Sequence, residues 1–242
     1  MYIVSMSAID CMNRFIVGIC ATQCHRYLSL EYAPHVNIAI QCKKQRLSER
    51  LQKRALKRLL LAVQPRNILF KDIEAGHVVL ANFGQAQKHT PAGQYLAAGE
   101  LAYMAPEMAW CRVAYDGHLR RHLLRSWRAN PELRAQLCAN HHYGKEADMW
   151  CVGLILYYMI YDHNPFVRCS DDYATFIKII NGDIDIEERG GISSEGIEML
   201  RGLLAADKNE RLTAAGALAS PWLEGIAVPA DGQEPDQEQL AR

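Results

Sequence analysis

The sequence predicts an α+β fold that is predominantly α, and three observations carry that reading. Short apolar runs bounded by breakers lie only in the first third of the chain. Amphipathic helical periodicity begins at Leu47, and after Met108 the pattern is almost wholly helical. A segment over 149–160 is apolar on every side, as expected for a helix buried in the centre of a domain.

Taken in order, the runs over 15–19 and 27–32 read as two strands, and the second ends at Ala33-Pro34, where proline stops pairing. From 47 to 60, Leu47, Leu51, Ala55, Leu56, Leu59 and Leu60 share one helical face, and Arg50, Lys53, Arg54, Lys57 and Arg58 occupy the rest. That charge run reads as the solvated side of an amphipathic helix in preference to a nucleic-acid patch. Two short strands follow over 68–70 and 78–81, joined by a turn containing Gly76. Pro221-Trp222 closes the last helix. The tail from Pro229 is rich in Asp, Glu, Gln, Pro and Gly, with too little apolar surface to offset its ordering entropy.

At 242 residues and zero formal net charge, the chain suits one well-buried domain with no global field for nucleic acid or an anionic membrane. Its eight cysteines lack the dense spacing of a disulfide scaffold, so reduced thiols in a cytoplasmic or nuclear protein are expected. Cys20, Cys24 and His25 have no second ligand pair, and buried thiols are preferred there over a metal site. The first twenty residues carry no cationic leader and are interrupted by Asp10 and Arg14, unlike a signal peptide. The span 149–160 falls short of the roughly 20 residues a membrane crossing needs.

Several segments in fixed order carry a resemblance. Leu60 to Asn67 reads LLAVQPRN, residues 82–84 read NFG, and 105–107 read APE within GELAYMAPE. Residues 148–153 read DMWCVG, and RLTAAGALASPWL begins at Arg211. Order and spacing resemble the C-terminal lobe of the protein kinase superfamily, whose counterparts are HRDLKPEN, DFG, APE and D-x-W-S-x-G. The flavour is that of the serine/threonine, calcium/calmodulin-dependent-like group. Five ordered motifs make a specific signal, where NFG alone would be worthless. The resemblance implies an N-lobe remnant of two strands over 1–26, a hinge-like segment over 27–34, a C-lobe over 35–226 with a helical insert over 108–142, and a disordered acidic tail over 227–242.

The resemblance also assigns roles. Glu107 is expected to pair with Arg211, and Asp148 to accept backbone N–H groups of the catalytic loop. Phe83 and Leu60 would sit in an apolar column behind the site. Ala62 stands where the family has its proton-accepting aspartate, a base worth about 10² to 10⁴ in rate. Gln64 replaces the lysine aimed at the transferring phosphate, and Asn82 replaces the magnesium-holding aspartate. Asn67 survives from the metal set. Glu100 stands for the threonine of the substrate-facing loop, and Leu61 for the arginine that clamps an activation-loop phosphate. Thr90-Pro91 in that segment reads as an exposed loop threonine, since its clamp is gone.

Before Glu31 the chain has no lysine, no glutamate and only one glycine, Gly18. The phosphate-covering loop, strand lysine and helix glutamate of an active kinase therefore have no place in it. With Leu30 as gatekeeper, the Glu31 carbonyl and Ala33 amide would face adenine, above Leu69 as floor. Without a roof, no cofactor is expected beyond weak ATP and Mg²⁺ binding, and a hinge that serves only as a connector is preferred.

The insert has six arginines against Asp116 and Glu132, a net charge of +4, with Leu119, Leu123 and Trp127 on one helical face. Its part over 117–134 suits a protein groove or an acidic membrane surface. The alternative is that its apolar residues pack on the lobe while the arginines are solvated. The expected function is a catalytically inactive pseudokinase acting as a scaffold or regulatory binding module for a protein partner, for instance an active kinase, with no nucleic acid. Two alternatives stand beside it: a serine/threonine kinase whose N-lobe is missing from this gene model, and a non-functional truncated product.

Overall fold

The computed structural model describes residues 47–59, 93, 100–113, 116–117, 119–121, 142–167, 169, 171–187 and 192–226, with side chains at all of these but 54 and 57–59. It also describes the backbone of six strands. These strands form three two-stranded sheets. Strands β2 (Ile16–Ala21) and β3 (Arg26–Leu30) pair antiparallel, with a bulge between Ile16 and Gly18. Strands β4 (Ile68–Asp72) and β5 (His77–Leu80) make a second antiparallel hairpin, with Leu69 opposite Val79. Both pairs fall where the apolar runs predicted them, to within a residue or two.

The third sheet was not expected. Strand β1 (Tyr2–Val4) pairs in parallel with β6 (Ala86–Lys88). A parallel pair requires a long crossover, and here the whole stretch from β2 to β5 supplies it. Tyr2–Val4 therefore belongs to a different sheet from the β2–β3 hairpin. Three-residue runs at 2–4 and 86–88 are too short to show periodicity, and only a partner segment distant in sequence makes them strands.

The helical part is built around α3 (Glu146–Tyr161), in which every residue but Glu146 and Asp148 is buried. Its uniform apolarity is explained by its surroundings, since it packs on both α1 (Glu49–Leu59) and α5 (Ser194–Leu203). Gly153 allows the close approach to α5: a Cβ there would meet Leu204 Cδ2 at 2.7 Å. The helix ends at Asp162, which adopts the left-handed conformation with φ 61°; aspartate tolerates this region better than most side chains.

Helix α1 buries Ala55 and Leu56 on the predicted face, and Leu47 just before it. Buried Gln52 shares that face and donates from Nε2 to the carbonyls of Leu47 at 3.0 Å and Met159 at 3.2 Å. One amide thus ties α1 to the centre of the lobe. Helix α4 (Asp172–Asn181) starts at an Asp171 cap, whose carboxylate accepts from Ala174 N at 2.8 Å, and ends at Gly182 with φ 61°. Ser193 and Thr213 cap α5 and the short α6 (Ala214–Leu218) in the same way. Pro221–Leu223 forms a closing 3₁₀ turn with Trp222 and Leu223 buried.

Helix α2 (Pro106–Val113) revises the reading of the insert. Its residues Met108, Ala109, Trp110, Cys111 and Val113 are all buried, and Trp110 meets Phe176 of α4 edge-on at 5.1 Å. Five of the first six positions of the 108–142 segment, all but Arg112, are thus lobe core. No helix among the described residues is long and apolar enough to cross a membrane. The acidic tail over 227–242 and the turn at Gly76 lie outside the described residues.

Candidate functional site: a braced kinase-like lobe

A bidentate ion pair joins residues 104 positions apart. Arg211 Nη1 donates to Glu107 Oε1 at 2.7 Å and Nη2 to Oε2 at 2.9 Å. Both residues are buried, at 4% and 3% exposure, so the pair stands only if its remaining groups are satisfied. They are. The guanidinium also donates to the carbonyls of Glu146 at 2.7 Å, Ala205 at 3.0 Å and Ala206 at 3.3 Å, and it lies 5.2 Å from the Trp150 ring centre. One arginine therefore fastens α2, the start of α3 and the loop after α5. The expected pairing of these two residues is met, with a wider set of acceptors than the motifs implied.

Asp148 lies in the first turn of α3. Although part of the residue remains accessible, burial pushes its carboxyl well above the usual carboxylate range, and nearby Glu146 adds to the rise. The backbone groups it was expected to receive belong to the loop at 60–67, outside the described residues.

The segment before APE folds as a buried 3₁₀ turn, Leu101–Tyr103, held from two sides. Cys151 Sγ donates to the Tyr103 carbonyl at 3.1 Å, and Asn164 Nδ2 donates to the Ala102 carbonyl at 3.1 Å. Asn164 Oδ1 in turn accepts from Phe166 N at 2.8 Å. Burial raises the Cys151 thiol far above its ordinary range, which keeps it protonated and able to donate. Cys111 is pushed up to about 11, by burial first and by Glu107 second. Glu100, the predicted stand-in for the family threonine, is exposed just ahead of this turn. Sequence reasoning did not single out Asn164; the signal lay in an asparagine followed directly by Pro165 at the end of an apolar helix.

Of the residues expected at a catalytic centre, Leu60, Leu61, Ala62, Gln64, Asn67, Asn82 and Phe83 lie outside the described residues, as do Glu31 and Ala33 of the hinge-like segment. Leu69 is described as backbone in β4. The hairpin follows directly after Asn67 and closes two residues before Asn82, because Ile68 pairs with Leu80. A divalent magnesium ion prefers carboxylate oxygens, and the expected donor pair of Asn67 and Asn82 offers two neutral amides. By its chemistry that donor set does not fit the ion.

The segment with the arginines is described at its start. Asp116 Oδ1 accepts from Leu119 N at 3.0 Å, capping a helical turn, and Arg112 lies 3.8 Å from Asp116. Leu119 is fully buried in the core, while Arg120 and Arg121 are exposed. This start agrees with an apolar face packed on the lobe and a solvated basic face. Leu123 and Trp127 lie outside the described residues.

Comparison with known proteins agrees with this architecture. The chain is 28% identical over 170 residues to the rat serine/threonine-protein kinase ULK3, covering 70% of this chain and 30% of that protein. It is 29% identical over 168 residues to a probable myosin light chain kinase of Dictyostelium discoideum, covering 68% and 28%. It is 30% identical over 167 residues to bovine Tribbles homolog 3, covering 68% and 38%. The chain thus spans about a third of the length of the curated relatives it matches. The protein kinase domain model matches residues 10–223; with the Glu107–Arg211 brace and the buried central helix in place, this chain belongs to the protein kinase superfamily.

Proposed function

We propose that this kinase-family domain is catalytically inactive and acts as a scaffold or regulatory binding module for a protein partner. The observation that carries the reading is a contrast within one lobe. The Glu107–Arg211 brace is intact, whereas the positions the motifs assign to chemistry hold Ala62, Gln64 and Asn82. Three substitutions that all remove proton acceptance, phosphate contact or metal ligation point one way, while the packing residues remain. Residues acting as a unit are not additive, so no summed loss is assigned. ATP, if bound near Glu31, Ala33 and Leu69, is held weakly. The basic face of 117–134 is the proposed partner surface, with an acidic membrane surface as its competitor, in a cytoplasmic or nuclear setting.

A second reading, a serine/threonine protein kinase, is favoured by one of the named relatives, rat ULK3, which is called a serine/threonine-protein kinase. A thermal shift with ATP and magnesium beside a phosphotransfer assay separates the two. The inactive reading expects no transfer above background and a shift under about 1 °C, since a ligand well below its Kd adds little stability. Transfer above background, abolished by Asn82→Ala, would establish the second reading and sink the first.

A further inference from the structure

Helix α1 has one basic side. At about 100° of turn per residue, Arg50, Lys53, Arg54, Lys57 and Arg58 fall on the side turned away from the buried Gln52, Ala55 and Leu56. Against these five cations the helix has one carboxylate, Glu49. It is already engaged at the helix start, by Trp222, Ser193 and Lys53.

The last described residues sit beside this helix. Trp222 lies against its first turn, with Lys53 Nζ 5.4 Å from the ring centre, and successive turns hold the backbone as far as Ile226, whose N–H donates to the Leu223 carbonyl at 3.4 Å. Residues 227–241 then carry Asp231, Glu234, Asp236 and Glu238 and no lysine, arginine or histidine. An extended chain advances about 3.3 Å per residue, so the stretch from Ile226 to Glu238 spans up to about 40 Å. Helix α1, at about 1.5 Å per residue, is about 16 Å long. The acidic stretch thus starts next to the basic side and is long enough to lie along it.

We propose that the carboxylates of 231–238 lie along the basic side of α1 in the same molecule and keep that face from acidic partners. Each exposed charge pair is weak and screened by salt, but the short tether holds all four carboxylates at an effective concentration on the order of millimolar. An acidic partner must displace them. The assignment is separate from the nucleotide question and stands whether or not the lobe transfers phosphate.

The test is amide NMR of the full chain beside the variant Asp231→Asn/Glu234→Gln/Asp236→Asn/Glu238→Gln, which changes no described residue. At about 50 mM salt the amides of α1 are expected to shift between parent and variant, and the difference to fade at about 500 mM. Hexaglutamate, added as a free acidic probe, should bind this variant about fivefold more tightly than the parent. It should bind Arg54→Gln/Lys57→Gln/Arg58→Gln about fivefold more weakly than the parent; glutamine there preserves helix propensity. Unmoved α1 amides, shifts confined to 117–121, or shifts that grow with protein concentration, as the tail of a second copy would produce, would overturn the assignment. Equal hexaglutamate affinity in parent and tail variant would also overturn it and leave the face to an acidic partner in trans.

Discussion

Trp222 donates its indole N–H to the Glu49 carboxylate at 2.6 Å across 173 positions of sequence. Glu49 also accepts from Ser193 Oγ at 2.9 Å and lies 3.3 Å from Lys53 Nζ. This one carboxylate joins the first turn of α1, the cap of α5 and the closing 3₁₀ turn. It locks the two ends of the helical lobe together.

Burial works to raise the Glu49 carboxyl, but the bonds from Trp222, Ser193 and Lys53 outweigh it and hold the group below its ordinary range. A depressed carboxyl contributes stability that is present above the unfolded value and lost as pH falls through the folded one. Glu49→Ala should therefore cost about 2 kcal/mol at pH 7, and the difference from the parent should shrink below about pH 4.5. Urea unfolding at both pH values checks this; a penalty that does not change with pH would show that packing, and not charge, dominates.

Arg211→Leu should be far more damaging. It leaves the Glu107 carboxylate buried without its partner, at about 3–5 kcal/mol. The double variant Glu107→Leu/Arg211→Leu removes the stranded charge and should recover part of that loss. Recovery stays incomplete because the carbonyls of Glu146, Ala205 and Ala206 lose a donor. A double-mutant cycle by chemical denaturation measures both steps.

Asp148 should behave in the opposite sense to Glu49. Its carboxyl is raised by burial, so the folded state is penalised as pH rises through the interval between the unfolded and folded values. Asp148→Asn is expected to raise Tm by about 2–4 °C at neutral pH and to have no effect in acid, where both forms are neutral. Destabilisation at neutral pH would instead reveal that the carboxylate is held by charge-assisted bonds.

Asn164→Ala removes the donor to Ala102 and the acceptor for Phe166 N at once. A cost of about 1–3 kcal/mol is expected for the buried groups left unsatisfied. Because the contact holds the Leu101–Tyr103 turn, limited proteolysis near that turn should speed up more than cleavage elsewhere. Uniform acceleration along the chain would mean global loosening only.

The helices were largely legible because burial imposes period on sequence. Leu47, Ala55 and Leu56 are buried as their spacing required, and the all-apolar stretch over 149–160 became the enclosed core of α3. Residues whose work is polar were less visible. Gln52 stands outside the apolar set that the spacing picks out, yet its amide is buried and bonded to the carbonyls of Leu47 and Met159. Asn164 and Glu49 carry no periodic signature at all. Met108 to Val113 read as the start of an insertion because spacing between motifs cannot tell an added loop from a longer helix.

What the sequence determined by itself was the family and the chemistry of each motif position. Order and spacing along one chain are one-dimensional facts, and the identities of Ala62, Gln64 and Asn82 are known without coordinates. Only the tertiary structure decided which groups satisfy one another: Glu49 with Trp222, Cys151 with the Tyr103 carbonyl, and Tyr2–Val4 with Ala86–Lys88. Such partners are chosen by where packed helices and sheets bring distant segments within about 3 Å for a hydrogen bond, and no local pattern encodes that distance.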